Sequence, residues 1–184
     1  VSEQDDAVRI MSIHKSKGLE FPVVFVSGLG KMFNRQDTRS RMILHPELGM
    51  GIDETDSERR LRIPSLLKRV IAGQGEQENL GEELRVLYVA LTRAKEKLIL
   101  TGVKKNAGEW LERMQTAFSD GSTMAFTDIM GADSYLDWVI PAVFCYGERY
   151  PVKLVSAEEL VLAEAERQTT EKQLDTEEQE WNED

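Results

Sequence analysis

His14-Lys15-Ser16-Lys17-Gly18-Leu19-Glu20-Phe21-Pro22-Val23-Val24-Phe25-Val26 is the stretch on which the fold turns. Its last five residues form a β-branched, nearly unbroken apolar run, the pattern of a central parallel strand covered on both faces. Upstream, Val8 to Ile13 reads as another buried strand, and His14 to Gly18 as the turn between the two. Gly28-Leu29-Gly30 ends the apolar run. It is no dinucleotide fingerprint, because Phe33 stands where the third glycine is required.

Downstream, Met42 to His45 and Gly49 to Asp53 have the composition of a hairpin around Pro46-Glu47-Leu48. Pro64 suits the first turn of a helix running to about Ala72, and Gly73 and Gly75 break that pattern. The clearest helix follows Gly81. Leu84, Leu87, Tyr88 and Leu91 recur at helical spacing and mark one apolar face, which ends near Ala94. Lys97 to Gly102 is a further buried strand. A strand–helix–strand succession of this kind predicts an α/β layer fold with a mostly parallel sheet. Three helices are expected beyond Gly102, over Glu109 to Phe118, Ser134 to Cys145 and Ser156 to about Gln168. Thr169 to Asp184 is strongly acidic and is expected to fray.

The 184 residues fit one domain with an appendage, and 41% hydrophobic content is enough for one core. No run is apolar enough to span a membrane, and the acidic start Val1 to Asp6 has no signal-peptide character. The first residue is not Met, which reads as a piece of a longer chain. Cys145 is the only cysteine, so no internal disulfide forms, no cysteine-built metal site is expected, and the default setting is the reducing cytoplasm. A net charge of −10 argues against nucleic acid at first sight. However, residues 8–101 carry 16 Lys/Arg against 12 Asp/Glu, while residues 102–184 carry 7 against 18. The acidity sits mostly in the tail, so the objection does not apply to the strand–turn–helix segment.

Two clusters stand at junctions between predicted strands and helices, where α/β proteins place groups that handle phosphates. In Tyr88-Val89-Ala90-Leu91-Thr92-Arg93-Ala94-Lys95-Glu96, Arg93 offers a permanently charged planar fork of donors suited to phosphate oxygens. The plainer alternative pairs it with the helix dipole or with Glu96. In the first cluster, Glu20 could accept from ribose hydroxyls, and Gly18 would admit a close backbone approach. The alternative is a polar turn with one surface ion pair. His14 and Ser16 could meet a nucleic-acid backbone or be ordinary polar residues. Trp110 and Trp138 read as core anchors, Cys145 as packing, His45 as an ordinary strand or loop residue, and Trp181 as part of an unstructured end. No Gly-x-x-x-x-Gly-Lys-Ser/Thr loop is present.

Taken together, the chain resembles superfamily 1A DNA helicases of the UvrD/Rep/PcrA type. Val8 to Val26 resembles their motif V with its following strand, and Glu82 to Ala94 their motif VI. Two further stretches, Phe25 to Asn34 and Ser134-Tyr135-Leu136-Asp137-Trp138, resemble the AddA subunits of bacterial AddAB helicase–nucleases. The resemblance implies an incomplete RecA-like parallel sheet flanked by helices, with a helical acidic C-terminal extension. Its divisions would be an acidic leader at 1–7, the C-terminal half of a motor domain at 8–103, a helical extension packed on it at 104–150 and an acidic linker or tail at 151–184. It implies that Arg93 is the arginine finger reaching the γ-phosphate, that Glu20 meets the ribose, and that Gly18 lies near the phosphates. His14 and Ser16 would touch single-stranded DNA, and Thr92 would couple DNA contact to the nucleotide cleft. ATP and Mg²⁺ would serve the full-length protein. Its partners would be DNA (single strands and duplex ends) and an AddB-like subunit. Walker motifs and a nuclease signature are missing from this stretch, so the segment alone is expected neither to hydrolyse ATP nor to cut DNA. The alternatives are a piece of a repair helicase without nuclease, or a non-catalytic interaction module on the same fold. An exposed central strand would favour self-pairing.

Overall fold

The computed structural model describes residues 7–35, 40–118, 121 and 123–168. A short 3-10 turn, Ile13–Ser16, leads into β1 (Phe21–Val26). Three strands follow, β2 (Met42–His45), β3 (Gly49–Asp56) and β4 (Leu61–Pro64), and then α1 (Leu66–Leu91) and β5 (Ala94–Leu100). Beyond them come α2 (Ala107–Phe118), α3 (Phe126–Met130) and α4 (Leu136–Cys145), and residues 157–168 are helical and exposed.

β1 and β5 pair in parallel, from Phe21 opposite Ala94 to Val26 opposite Leu100, with a shift in register between Phe21 and Val23. Parallel neighbours need a crossover, and α1 supplies it. The predicted βαβ grammar and the mixed α/β class with flanking helices are therefore observed. Between β1 and α1 sits an antiparallel meander in the order β2-β3-β4. Its first hairpin has the predicted position, with Met42 opposite Ile52 and His45 opposite Gly49. β4 has no counterpart among the strands expected from the sequence.

Four expectations need correction. Val8 to Ile13 is not a strand. Val8 and Ile10 are 94% and 97% exposed, and no described segment offers them a ladder to join. β1 is covered on one face only. Val24 and Val26 enter the core, while Val23 and Phe25 stay exposed. Pro64 closes β4 and does not open a helix, because Ser65 is the N-cap, accepting from the Lys68 amide at 3.2 Å. Finally, α1 runs unbroken for 26 residues through Gly73, Gly75 and Gly81, and ends at Leu91. Its buried stripe is Ile71, Leu80, Leu87 and Ala90; Leu84 and Tyr88 are exposed.

Tertiary attachments explain why glycines do not interrupt α1. The Lys68 ammonium is nearly buried and pairs with Asp53 on β3. Gly51 lets β3 press on the helix, since a Cβ there would lie 2.5 Å from Lys68 Cα. His45 Nε2 meets Glu78 at 3.2 Å, while its Nδ1 accepts the Glu47 and Leu48 amides at 3.2 Å each. The propensity cost of the three glycines, about 1 kcal/mol each, is outweighed by these contacts.

A single core joins β1, α1 and the later helices. Val26, Leu29, Leu80, Leu87 and Ala90 pack with Trp110, Ala132, Leu136, Trp138 and Ile140. Both tryptophans are thus the core anchors that the sequence suggested. Cys145 is half-buried. Trp181 and the stretch 169–184 lie outside the described residues.

Candidate nucleotide and DNA site

The two singled-out clusters meet in space. Phe21 donates its amide to the Arg93 carbonyl at 2.9 Å, so the start of β1 is zipped to the α1–β5 junction. The preceding turn is held internally. The Ser16 hydroxyl donates to the Ile13 carbonyl at 2.7 Å, and the Leu19 amide to the Ser16 carbonyl at 3.0 Å. Gly18 adopts φ +83°, a conformation that disfavours any side chain. A Cβ there would meet nothing within 4 Å, so the space over this peptide is open.

Arg93 spans the junction. Its Nε donates to the Val89 carbonyl at 3.0 Å, Nη1 to the Leu19 carbonyl at 2.8 Å, and Nη2 to Thr92 Oγ1 at 2.9 Å. Thr92 Oγ1 in turn lies 2.9 Å from the Tyr88 carbonyl and 3.1 Å from that of Val89, as a donor closing the helix end. The guanidinium thus collects two main-chain carbonyls and one hydroxyl, and among the described residues no carboxylate forms an ion pair with it. The pairing with Glu96 that the sequence allowed is not formed. A guanidinium has five N–H groups. Three are used among the described residues, which leaves one on each terminal nitrogen for an incoming oxyanion.

Glu20 is exposed and lies 3.7 Å from Lys95 Nζ, a surface pair of small energetic weight. His14 is exposed on the 3-10 turn, whereas Ser16 is buried with its hydroxyl proton committed. Gly18, Glu20, Thr92 and Arg93 therefore share one end of the βαβ unit. His14 stands on the adjoining turn, and Ser16 supports that turn from inside.

A family model described as UvrD-like helicase C-terminal domain matches residues 1–105. The chain belongs to this family. Among curated relatives of this UvrD-like chain is a protein of Acetivibrio thermocellus named as an ATP-dependent helicase/nuclease subunit. It is 50% identical over 144 residues, 78% of this chain and 12% of that protein. The like-named protein of Desulforamulus reducens is 51% identical over the same shares. That of Lachnoclostridium phytofermentans is 46% identical over 170 residues, 92% of this chain and 12% of the relative. The UvrD-like chain thus spans about 12% of the length of the relatives it matches.

A second polar cluster escaped the sequence reading. The Tyr135 hydroxyl donates to Glu83 on α1, and its ring meets Phe33 edge-on with centroids 5.1 Å apart. Phe33 also packs on Trp138 at 4.9 Å, and its amide donates to the Asp133 carbonyl at 2.8 Å. Arg35 donates to the Ala132 carbonyl at 2.7 Å and pairs with Asp133 and Glu76. Beside them a polar cavity of about 210 Å³ is lined by Phe33, Arg35, Glu76, Asn79, Leu80 and Glu83. Burial, followed by the Glu83 carboxylate, pushes the Tyr135 phenol well above its ordinary range, so it remains a donor. Next to it, Asp137 accepts from Lys104 Nζ at 2.8 Å, the Ser134 amide at 2.9 Å and the Ser134 hydroxyl at 2.8 Å. Burial alone would raise the Asp137 carboxyl; these donors and the Asp133 amide outweigh it and hold it below the usual carboxylate value. The only sequence signal was that Phe33 and Tyr135 belong to the two stretches set apart for their narrower resemblance. Nothing in the sequence said that those stretches touch.

No helix among the described residues is long and apolar enough to cross a membrane. Nor does any group of three His, Cys, Asp or Glu side chains converge there as metal ligands.

Proposed function

We propose that this chain acts as the C-terminal part of the second motor domain of an ATP-dependent DNA helicase–nuclease that drives translocation and unwinding in double-strand break repair. The observation that carries the proposal is Arg93, a guanidinium held by two carbonyl oxygens and the Thr92 hydroxyl, with two N–H groups uncommitted among the described residues, beside the open peptide of Gly18. The names of the relatives support the same reading. The nucleotide is ATP, with Arg93 at the γ-phosphate, Glu20 at the ribose and Gly18 near the phosphates. Such a finger accelerates phosphoryl transfer by roughly 10³–10⁵. The described residues do not fit Mg²⁺, whose ligands we assign to another part of the full-length protein.

DNA contact falls to His14, which is exposed. Ser16 shapes the turn that carries it, and Thr92 links that end of the unit to the helix terminus. The Leu19 carbonyl joins Arg93 directly to the DNA-facing turn. A pull on the guanidinium by a γ-phosphate therefore acts on this turn through one hydrogen bond. A cytoplasmic setting and a second, AddB-like subunit complete the proposal. The divisions at 1–7, 8–103, 104–150 and 151–184 are retained within it, and the segment alone is proposed to be inactive.

The test is single-stranded-DNA-stimulated ATP hydrolysis by a full-length protein carrying this segment, wild type against Arg93→Ala, with ATP binding followed in parallel. A turnover loss of about a hundredfold or more with binding kept is the expected result. Near-normal turnover would reduce Arg93 to a helix-end brace.

A further inference from the structure

We infer that Tyr135 and Glu83 form a positioning bracket that sets the place of Arg93 by fixing α1, an inference that rests on the function proposed above. Glu83 occupies an unusual place. It is three residues after Leu80 and four before Leu87, both buried, so it lies on the core-facing stripe of α1. Glu83 is half-buried there and lines the polar cavity, where a carboxylate gains from a hydrogen-bond partner. The sequence places Glu at this position and gives it the Tyr135 hydroxyl. A directional bond between two stiff elements fixes rotation and slide, which sliding apolar contacts do not.

The partner is itself held rigidly. Phe33 and Trp138 flank the Tyr135 ring, and Met32 forms an isolated bridge with Ser134. The Leu136 amide donates to the Leu29 carbonyl at 3.1 Å, which ties the start of α4 to the loop that leaves β1. Asp137 and Lys104 tie the same turn to the chain beyond β5. The phenol is therefore referenced to both strands of the parallel pair. Glu83 transfers that reference to α1, whose end at Leu91 lies eight residues on, about 12 Å along the axis, with Arg93 two residues beyond it. Displacing a catalytic group by about 1 Å can cost a hundredfold in rate, so even a small roll of α1 matters at the finger.

The experiment uses the full-length protein carrying this segment in four forms: wild type, Tyr135→Phe, Arg93→Ala and the double variant. DNA-stimulated kcat and the KM for ATP are measured, with thermal unfolding alongside. Tyr135→Phe is expected to lower kcat about fivefold to tenfold, with KM within about twofold, since it loosens geometry that matters in the transition state. In the Arg93→Ala background the same change is expected to cost nothing further, because no finger remains to be misplaced. Glu83→Gln, which keeps an acceptor for the phenol, is expected to retain most of the activity.

An equal loss in both backgrounds would make the bracket a structural prop and overturn the inference. Full activity of Tyr135→Phe beside a crippled Arg93→Ala would overturn the bracket and leave the finger standing. Near-normal turnover of Arg93→Ala would remove the finger and the bracket together.

Discussion

Replacing Gly73 and Gly81 by alanine tests the continuity of α1, the feature on which sequence and structure differ most. Both glycines lie inside the helix, and a Cβ added at either would meet nothing within 4 Å. No clash therefore offsets the propensity gain, about 0.8–1.0 kcal/mol for each glycine in a helix interior. The sites are eight residues apart, about 12 Å along the axis, and share no contact, so their effects should add. The sum is about 1.6–2.0 kcal/mol. At about 2–4 °C per kcal/mol for a chain of this size, the double variant should melt roughly 3–8 °C higher. Thermal unfolding followed by circular dichroism at 222 nm measures this, and the helical signal at low temperature should not fall. An unchanged or lowered midpoint would refute the reasoning, because it would mean that the helix is interrupted near these residues and that a left-handed or turn conformation is being penalised.

Gly30→Ala should do the opposite. Its Cβ would lie 2.0 Å from the Val103 carbonyl oxygen, and its three nearest atoms are all Val103 backbone, so the expected cost is at least about 1–3 kcal/mol; an unchanged urea midpoint would contradict the packing of the β1 exit loop on the chain after β5. Asp137 should give the fold an acid-sensitive component. Its carboxyl titrates below the usual value in the folded state, so the stability it contributes is present above about pH 4 and is lost as the pH falls through the depressed value. Asp137→Asn should be less stable by about 1–3 kcal/mol at neutral pH and should lose less on acidification, as read from urea denaturation between pH 3 and 7.

The parts of this fold that were legible in the sequence are those fixed locally or by a dense pattern. Val23 to Val26 and Lys97 to Leu100 are apolar enough to be strands in any context, and Met42 to Ile52 carries its hairpin turn within it. What was missed depended on distant partners. The continuity of α1 rests on Asp53, Gly51 and His45, none of which lies in the helix. Helical spacing alone puts the apolar face of α1 on Leu84, Leu87, Tyr88 and Leu91, but the buried stripe is Leu80, Leu87 and Ala90, with half-buried Glu83 beside it paired to Tyr135, far along the chain. The strand expected at Val8 to Ile13 failed for the complementary reason, since an apolar, partly alternating stretch becomes a strand only where a ladder is available. For the candidate site, the convergence of Gly18, Glu20, Thr92 and Arg93 followed from βαβ grammar. The tether from Arg93 to the Leu19 carbonyl did not, because a main-chain acceptor leaves no mark on residue identity.

That anonymity bears on how the site tolerates mutation. A guanidinium moored to carboxylates can lose its mooring through any substitution of those acids. One moored to the carbonyls of Leu19 and Val89 keeps its acceptors whatever side chains those positions acquire. Drift at either residue is then filtered by packing alone, and the genetic target for loss of the arginine's orientation shrinks to Arg93, Thr92 and the left-handed peptide at Gly18. A deep mutational scan of this stretch should accordingly show permissive columns at 19 and 89 flanking nearly closed ones at 18 and 93.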